Sequence, residues 1–204
     1  MNEFQNLFDE DTLRKNIEFA ALFVLNYECL KEYVVSQVRE FYSDSISFVQ
    51  GEMIFKESEN YKKNVRSLAN KIDTASIMWF VNAGAITEQE LDLYHTCRKR
   101  RNDITHELLK NLSLGFKESD VTLFLDMVHL YQKIDNWWIN EIEIPTSAEK
   151  IPADYNRDQV FGGQAFVLSA INDIILENGA DKYNEILELL RKMQKEKNYG
   201  QECN

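Results

Sequence analysis

An arginine, an asparagine and a histidine fall on one short stretch, "CRKRRNDITHELL", residues 97–109. Arg101 is followed directly by Asn102, and His106 comes five positions after Arg101. On a helix Asn102 and His106 are four apart and therefore neighbours. The long side chain of Arg101 reaches the same face. A guanidinium offers a fixed fork of N–H donors for phosphate oxygens. An imidazole donates or accepts protons near neutral pH. An amide between them can orient either group. Arg98, Lys99 and Arg100 precede the trio and add positive charge suited to a phosphate backbone.

The helix that carries these residues has a readable start. Thr87 and Glu90 form a capping-box pattern. No glycine or proline intervenes before Gly115, so the spacing predicts one helix running from about 87 to 114. On it Leu91, Tyr94, Arg98, Arg101, Thr105, Leu108, Leu109 and Leu112 make one stripe, apolar at both ends and polar in the middle. Such a local break of the apolar pattern marks functional or strained positions. The bland alternative is a solvated basic face, or arginines that pair with acids of a bundle.

The rest of the chain supplies the helices that would hold this one. Of 204 residues, 44% are apolar and 28% charged, which suits a soluble domain with a sizeable core. Only 7 Gly and 2 Pro argue against an all-β fold and for few, long elements. Residues 9–43 read as one long helix with Leu13, Ile17, Ala20, Ala21, Val24, Tyr27, Leu30, Val34, Val38 and Phe41 at helical spacing. Residues 44–56 break the pattern; with Gln50-Gly51 at their centre they are either a small hairpin or a loop. Helices are expected at about 57–71 and 73–82. Another begins at Ser119 or Asp120 and ends at Pro145. Two more are expected at 158–177 and 181–197, the first weakened at its start by Gly162-Gly163. The last is amphipathic and reads as a docking helix. The fold class is therefore all-α: an up-and-down bundle of five to seven helices over residues 1–143, a linker at 144–157, and an added C-terminal helical pair over 158–204 that packs on the bundle.

The net charge of −11 speaks against a general nucleic-acid binder and would focus any such contact on the run at 98–101. Three cysteines with no Cys-x-x-Cys pair argue against a disulfide framework or a structural zinc. The acidic N-terminus lacks signal-peptide character, and the apolar stretch "FAALFVL" is too short for a bilayer. A reducing cytoplasm is expected, with no membrane and no cofactor.

Other residues carry weaker signals. Glu88, Asp92 and His95 lie a turn apart and offer part of a metal site, but read better as surface residues, so no metal is expected. His129 reads as a core-edge residue. Trp137-Trp138 point different ways, so at least one belongs to a core or interface. Cys97 sits beside basic residues that would lower a thiol pKa, yet nothing in sequence completes a thiol enzyme.

"RNDITH", Arg101 to His106, resembles the R-x4-H motif of HEPN domains, and "LYHTCRKRRNDITHEL" fits its setting in a long helix of an α-helical bundle. The resemblance covers about residues 10–143. It implies a metal-independent endoribonuclease of a toxin–antitoxin or defence system, working as a homodimer whose two motifs face one cleft, with an antitoxin or other defence protein as a possible partner. Arg101, Asn102 and His106 would then be the catalytic residues, and Arg98, Lys99 and Arg100 would bind RNA phosphates. RNA brings its own nucleophile, the 2′-OH. Cleavage needs a base, an acid and positive charge on the transition state, and two copies of His106 would divide the proton transfers. The alternative is a non-catalytic HEPN-like module that binds a partner protein or a nucleotide.

Overall fold

Helix α2, Glu10–Phe41, is the longest described element and supplies much of the core of the first unit. A computed structural model describes residues 5–49, 52–147, 151 and 155–176. The short α1, Gln5–Phe8, precedes α2. The side chain of Asp9 accepts the Thr12 N–H at 2.8 Å and starts α2 as an N-cap, with Glu10 and Asp11 in the first turn. Leu22, Phe23, Tyr27, Leu30, Val34 and Val38 are buried along it. Each such side chain contributes roughly 1.5–3 kcal/mol by leaving water. The apolar spacing located half of the expected face: Ala20, Tyr27, Leu30, Val34 and Val38 are buried. The other expected positions differ: Ile17, Ala21 and Phe41 are exposed, Leu13 and Val24 are half-buried, and Leu22, Phe23 and Tyr33, off the expected stripe, are buried.

After α2 the chain forms an antiparallel hairpin, β1 at Ser43–Val49 and β2 at Glu52–Glu57. The register pairs Val49 with Glu52 and Ile46 with Phe55, with an irregularity between Ser43 and Ser45. This resolves the choice between hairpin and loop. The turn at Gln50-Gly51 lies outside the described residues. The expected helix at 57–71 shrinks to α3, Glu59–Tyr61, and a wider π-type turn at Lys62–Arg66. The hairpin has taken Glu57, and Ser58 caps the new start by accepting the Tyr61 N–H at 3.0 Å. Next in the chain is α4, Ile72–Asn82.

α5, Glu88–His106, opens on the expected capping box. Glu90 accepts the Thr87 N–H at 2.7 Å, and Thr87 Oγ1 accepts the Glu90 N–H at 3.3 Å. The helix is shorter than the sequence suggests. At Glu107 the backbone leaves helical geometry (φ −119°, ψ 36°), and α6 restarts at Leu108–Leu114. Asn6 and Asn16 donate to the Ser113 and Leu112 carbonyls at the far end of α6, at 2.8 and 3.2 Å. Gly115 then turns with φ 76°, a left-handed value that glycine adopts without strain.

α7, Glu118–Trp138, starts after Lys117 rather than at Ser119 or Asp120, because the Asp120 side chain reaches back to the Lys117 N–H at 2.9 Å. It continues through a π-type turn at Ile139–Glu143 into α8, Ile144–Thr146. Trp79 and Phe80 of α4 meet Trp137 and Trp138 of α7 in an aromatic cluster, ring centroids 5.9–6.3 Å apart. Both tryptophans thus serve packing. Residues 155–160 return to α7: Tyr155 donates to Asn140 at 2.7 Å, and Asn136 donates to the Val160 carbonyl at 3.0 Å. The first compact unit spans Met1–Val160, and residues 155–160 are tied to it by these bonds. The second unit, Phe161–Asn204, is described through α9, Gly163–Leu176. The helix expected at 181–197 lies outside the described residues. The chain is an all-α helical bundle, with one small hairpin among the described residues. Among the described residues, no helix is long and apolar enough to cross a membrane.

The capping box yields a direct test. Thr87→Ala should destabilise the fold by about 1 kcal/mol, read as a lower urea midpoint with an unchanged slope. Burial raises the Glu90 carboxyl, but Lys133 and the Thr87 N–H and hydroxyl outweigh it and hold its pKa below the ordinary 4.5. Its contribution is then full above that value and falls away as the pH drops through the lowered one. Glu90→Gln should flatten this part of the acid-stability curve.

Candidate functional site

The basic run on α5 divides by function once the packing is known. Arg100 points into the fold. Its Nε and Nη2 donate to the two carboxylate oxygens of Asp120 at 2.7 and 3.2 Å, and its Nη1 donates to Asn111 Oδ1 at 2.9 Å. Its guanidinium also lies 5.5 Å from the Phe116 ring centre. Asn111 in turn donates to the Asp103 and Glu107 carbonyls, at 3.1 and 2.9 Å, which stabilises the break between α5 and α6. Arg98 is also engaged. Its Nη1 donates to Asp73 Oδ2 at 3.1 Å and to Thr74 Oγ1 at 3.0 Å, tying α5 to the first turn of α4. Of the three residues expected to hold phosphate, Lys99 alone is exposed. The reason is partner supply: α4 and α7 each present a carboxylate where an arginine of α5 arrives.

Arg101 and Asn102 are brought together. Arg101 Nη1 donates to Asn102 Oδ1 at 2.9 Å. Arg101 Nη2 donates to Glu28 of α2, and the guanidinium lies 5.9 Å from the Tyr27 ring centre. Arg101 Nε is buried with no hydrogen-bond partner. Around it Tyr27 and Tyr94 lie with ring centres 5.7 Å apart, and burial raises the Tyr27 hydroxyl to about 12.

His106 is the last residue of α5 and is exposed. The sequence places it mid-helix; the break at Glu107 puts it at a helix end instead. The same break redirects the next turn of the chain. Leu108 and Leu109, expected on the buried stripe, are 44% and 68% exposed. Buried positions on α5 are Tyr94, Cys97 and Ile104, so the polar middle of the predicted stripe lies at the edge of the core.

The weaker candidates are settled by burial and by their neighbours. Burial, with Asp126 adding to it, pushes the Cys97 thiol up to about 12, opposite to the effect expected from its basic neighbours. Burial and then Arg98 lower the His95 pKa, against Asp73 and Asp92. Among the described residues, no three His, Cys, Asp or Glu side chains gather as a metal set. His129 is exposed rather than at the core edge. Sequence reading missed Glu28, which looks like any other acid on the polar side of α2. No signal within α2 alone could have linked it to Arg101. Comparison with protein-family models, curated proteins and solved structures finds no match for this chain.

Two measurements separate the packed arginine from the exposed lysine. Arg100→Ala leaves Asp120 and Asn111 without their partner and should cost about 2–3 kcal/mol of stability. Lys99→Ala should change it by less than about 0.5 kcal/mol. Denaturant titration of both variants distinguishes them. Cys97 should resist alkylation at neutral pH in the folded protein and react fully after unfolding, as peptide mass spectrometry would show.

Proposed function

We propose that this chain is an HEPN-type, metal-independent endoribonuclease of a toxin or defence system, acting in the cytoplasm as a homodimer. The observation that carries the reading is the Arg101–Asn102 hydrogen bond, with His106 exposed one helical turn beyond Asn102. Arg101 would bind the scissile phosphate and stabilise its developing charge. Asn102 would hold Arg101 in place. His106 would transfer protons, as base to the 2′-OH in one copy and as acid to the leaving 5′-oxygen in the other. The exposed Leu108 and Leu109 next to His106 supply apolar surface that a second copy would cover. Lys99 would contact a flanking phosphate. No cofactor enters this chemistry, and DNA, which lacks the 2′-OH, would not be cut.

A second reading is a non-catalytic HEPN-like module that binds a partner protein, such as an antitoxin, or a nucleotide. It is favoured by one observation: Arg98 and Arg100 are engaged within the fold of a chain whose net charge is −11. Of the run at 98–101, that leaves Lys99 exposed to meet RNA.

Cleavage of a mixed RNA substrate in EDTA decides between them. Wild type should cut, a DNA of the same sequence should stay intact, and His106→Ala should lose at least about a hundredfold in rate. Intact RNA with purified dimer, or full activity in His106→Ala, would favour the binding module.

A further inference from the structure

The site contains an acid that phosphate chemistry does not call for. Glu28 lies in the middle of α2, and its Oε1 accepts from Arg101 Nη2. Its Oε2 accepts from Lys31, one turn along the same helix. Arg101 Nη1 is held by Asn102, and Arg101 Nε is buried. Two-pronged capture of a phosphate needs adjacent N–H donors free to face it. Here the Nη2 edge already carries a carboxylate and the Nε edge is enclosed. Three of the five Arg101 N–H donors are therefore engaged or enclosed, and its charge is met by Glu28.

The occupant can leave. The Arg101 and Glu28 side chains remain 27% and 32% exposed, so water reaches the pair. Ion pairs of this exposure are weak enough to exchange. Glu28 also lines an open groove of about 570 Å³, together with Lys31, Glu32, Ser36, Arg39 and Asp73. A carboxylate released from Arg101 thus has space on the groove side and a cation, Lys31, already in contact. Exchange with a phosphate keeps the charge count balanced, with Arg101 on phosphate and Glu28 on Lys31.

We propose that Glu28 is a displaceable internal anion that occupies the phosphate position on Arg101, so that an RNA strand binds by pushing it into the groove onto Lys31. The proposal rests on the ribonuclease reading of the same site. It also sets a selectivity: a single small anion gains little by replacing a tethered carboxylate, whereas a polynucleotide brings further phosphates that add to the exchange.

The test is binding of a fluorescent all-2′-deoxy oligonucleotide, which lacks the nucleophile, in EDTA, beside RNA cleavage by the same proteins. Glu28→Gln should bind about fivefold more tightly than wild type. Glu28→Gln combined with Arg101→Ala should lose that gain, which a purely structural role for Glu28 would not produce. Lys31→Met should bind more weakly than wild type, since the released carboxylate loses the cation it already contacts. If Glu28→Gln fails to fold by thermal melting, Glu28→Asp, with the charge kept and the reach shortened, should give the same gain. Equal or weaker binding by a folded Glu28 variant, with wild type still binding and cutting, overturns the displaceable anion and leaves the ribonuclease reading standing. Absence of both binding and cutting in wild type and variant alike overturns both.

Discussion

Arg100 is the residue on which the arrangement around the site depends. One guanidinium satisfies Asp120 on α7 and Asn111 on α6, while Asn111 satisfies two carbonyls at the end of α5. Both carbonyls also accept backbone N–H bonds, Asp103 from Glu107 and Glu107 from Asn111, so the Asn111 amide adds a second donor to each, and Arg100 holds that amide in place. Asp120 simultaneously takes the Lys117 N–H and so sets where α7 begins. Three helix boundaries are thereby coupled through one side chain. His106 is at a helix end, and Leu108 and Leu109 face outward, as consequences of that coupling.

Electrostatics divides the basic run by depth. Arg98 and Arg100 are matched to Asp73 and Asp120, whose side chains are 16% and 13% exposed against 32% for Glu28, the partner of Arg101. Such pairs hold elements in register more than they add stability, since desolvation offsets much of the attraction. Arg101 is matched to Glu28 and keeps its remaining environment aromatic and enclosed. The three arginines therefore connect α5 to α4, α7 and α2 respectively. α5 is positioned by its polar residues as much as by its apolar ones, which explains why its apolar stripe looks broken.

The sequence was most informative where a single local rule dominates. The capping box at Thr87 and Glu90 needs only four residues and is present as expected. The apolar spacing of α2 identifies Ala20, Tyr27, Leu30, Val34 and Val38 as buried, because helical periodicity and burial are the same signal there. It failed where a long-range partner overrides a local tendency. Nothing between 87 and 115 breaks a helix by composition, yet the chain leaves helical geometry at Glu107 because Asn111 and Arg100 stabilise the ends so created. Cys97 has basic neighbours in sequence, but its burial governs its thiol.

The sequence by itself determined an all-α bundle, the start of α5, and the adjacency of Arg101, Asn102 and His106 on one helix, since these come from chain-local geometry. Only the tertiary structure decided which cations remain available. Whether an arginine faces solvent or a carboxylate depends on acids 20 to 73 residues away in the chain. Sequence spacing carries no record of that distance, because it is set when helices pack and each guanidinium meets the nearest anion.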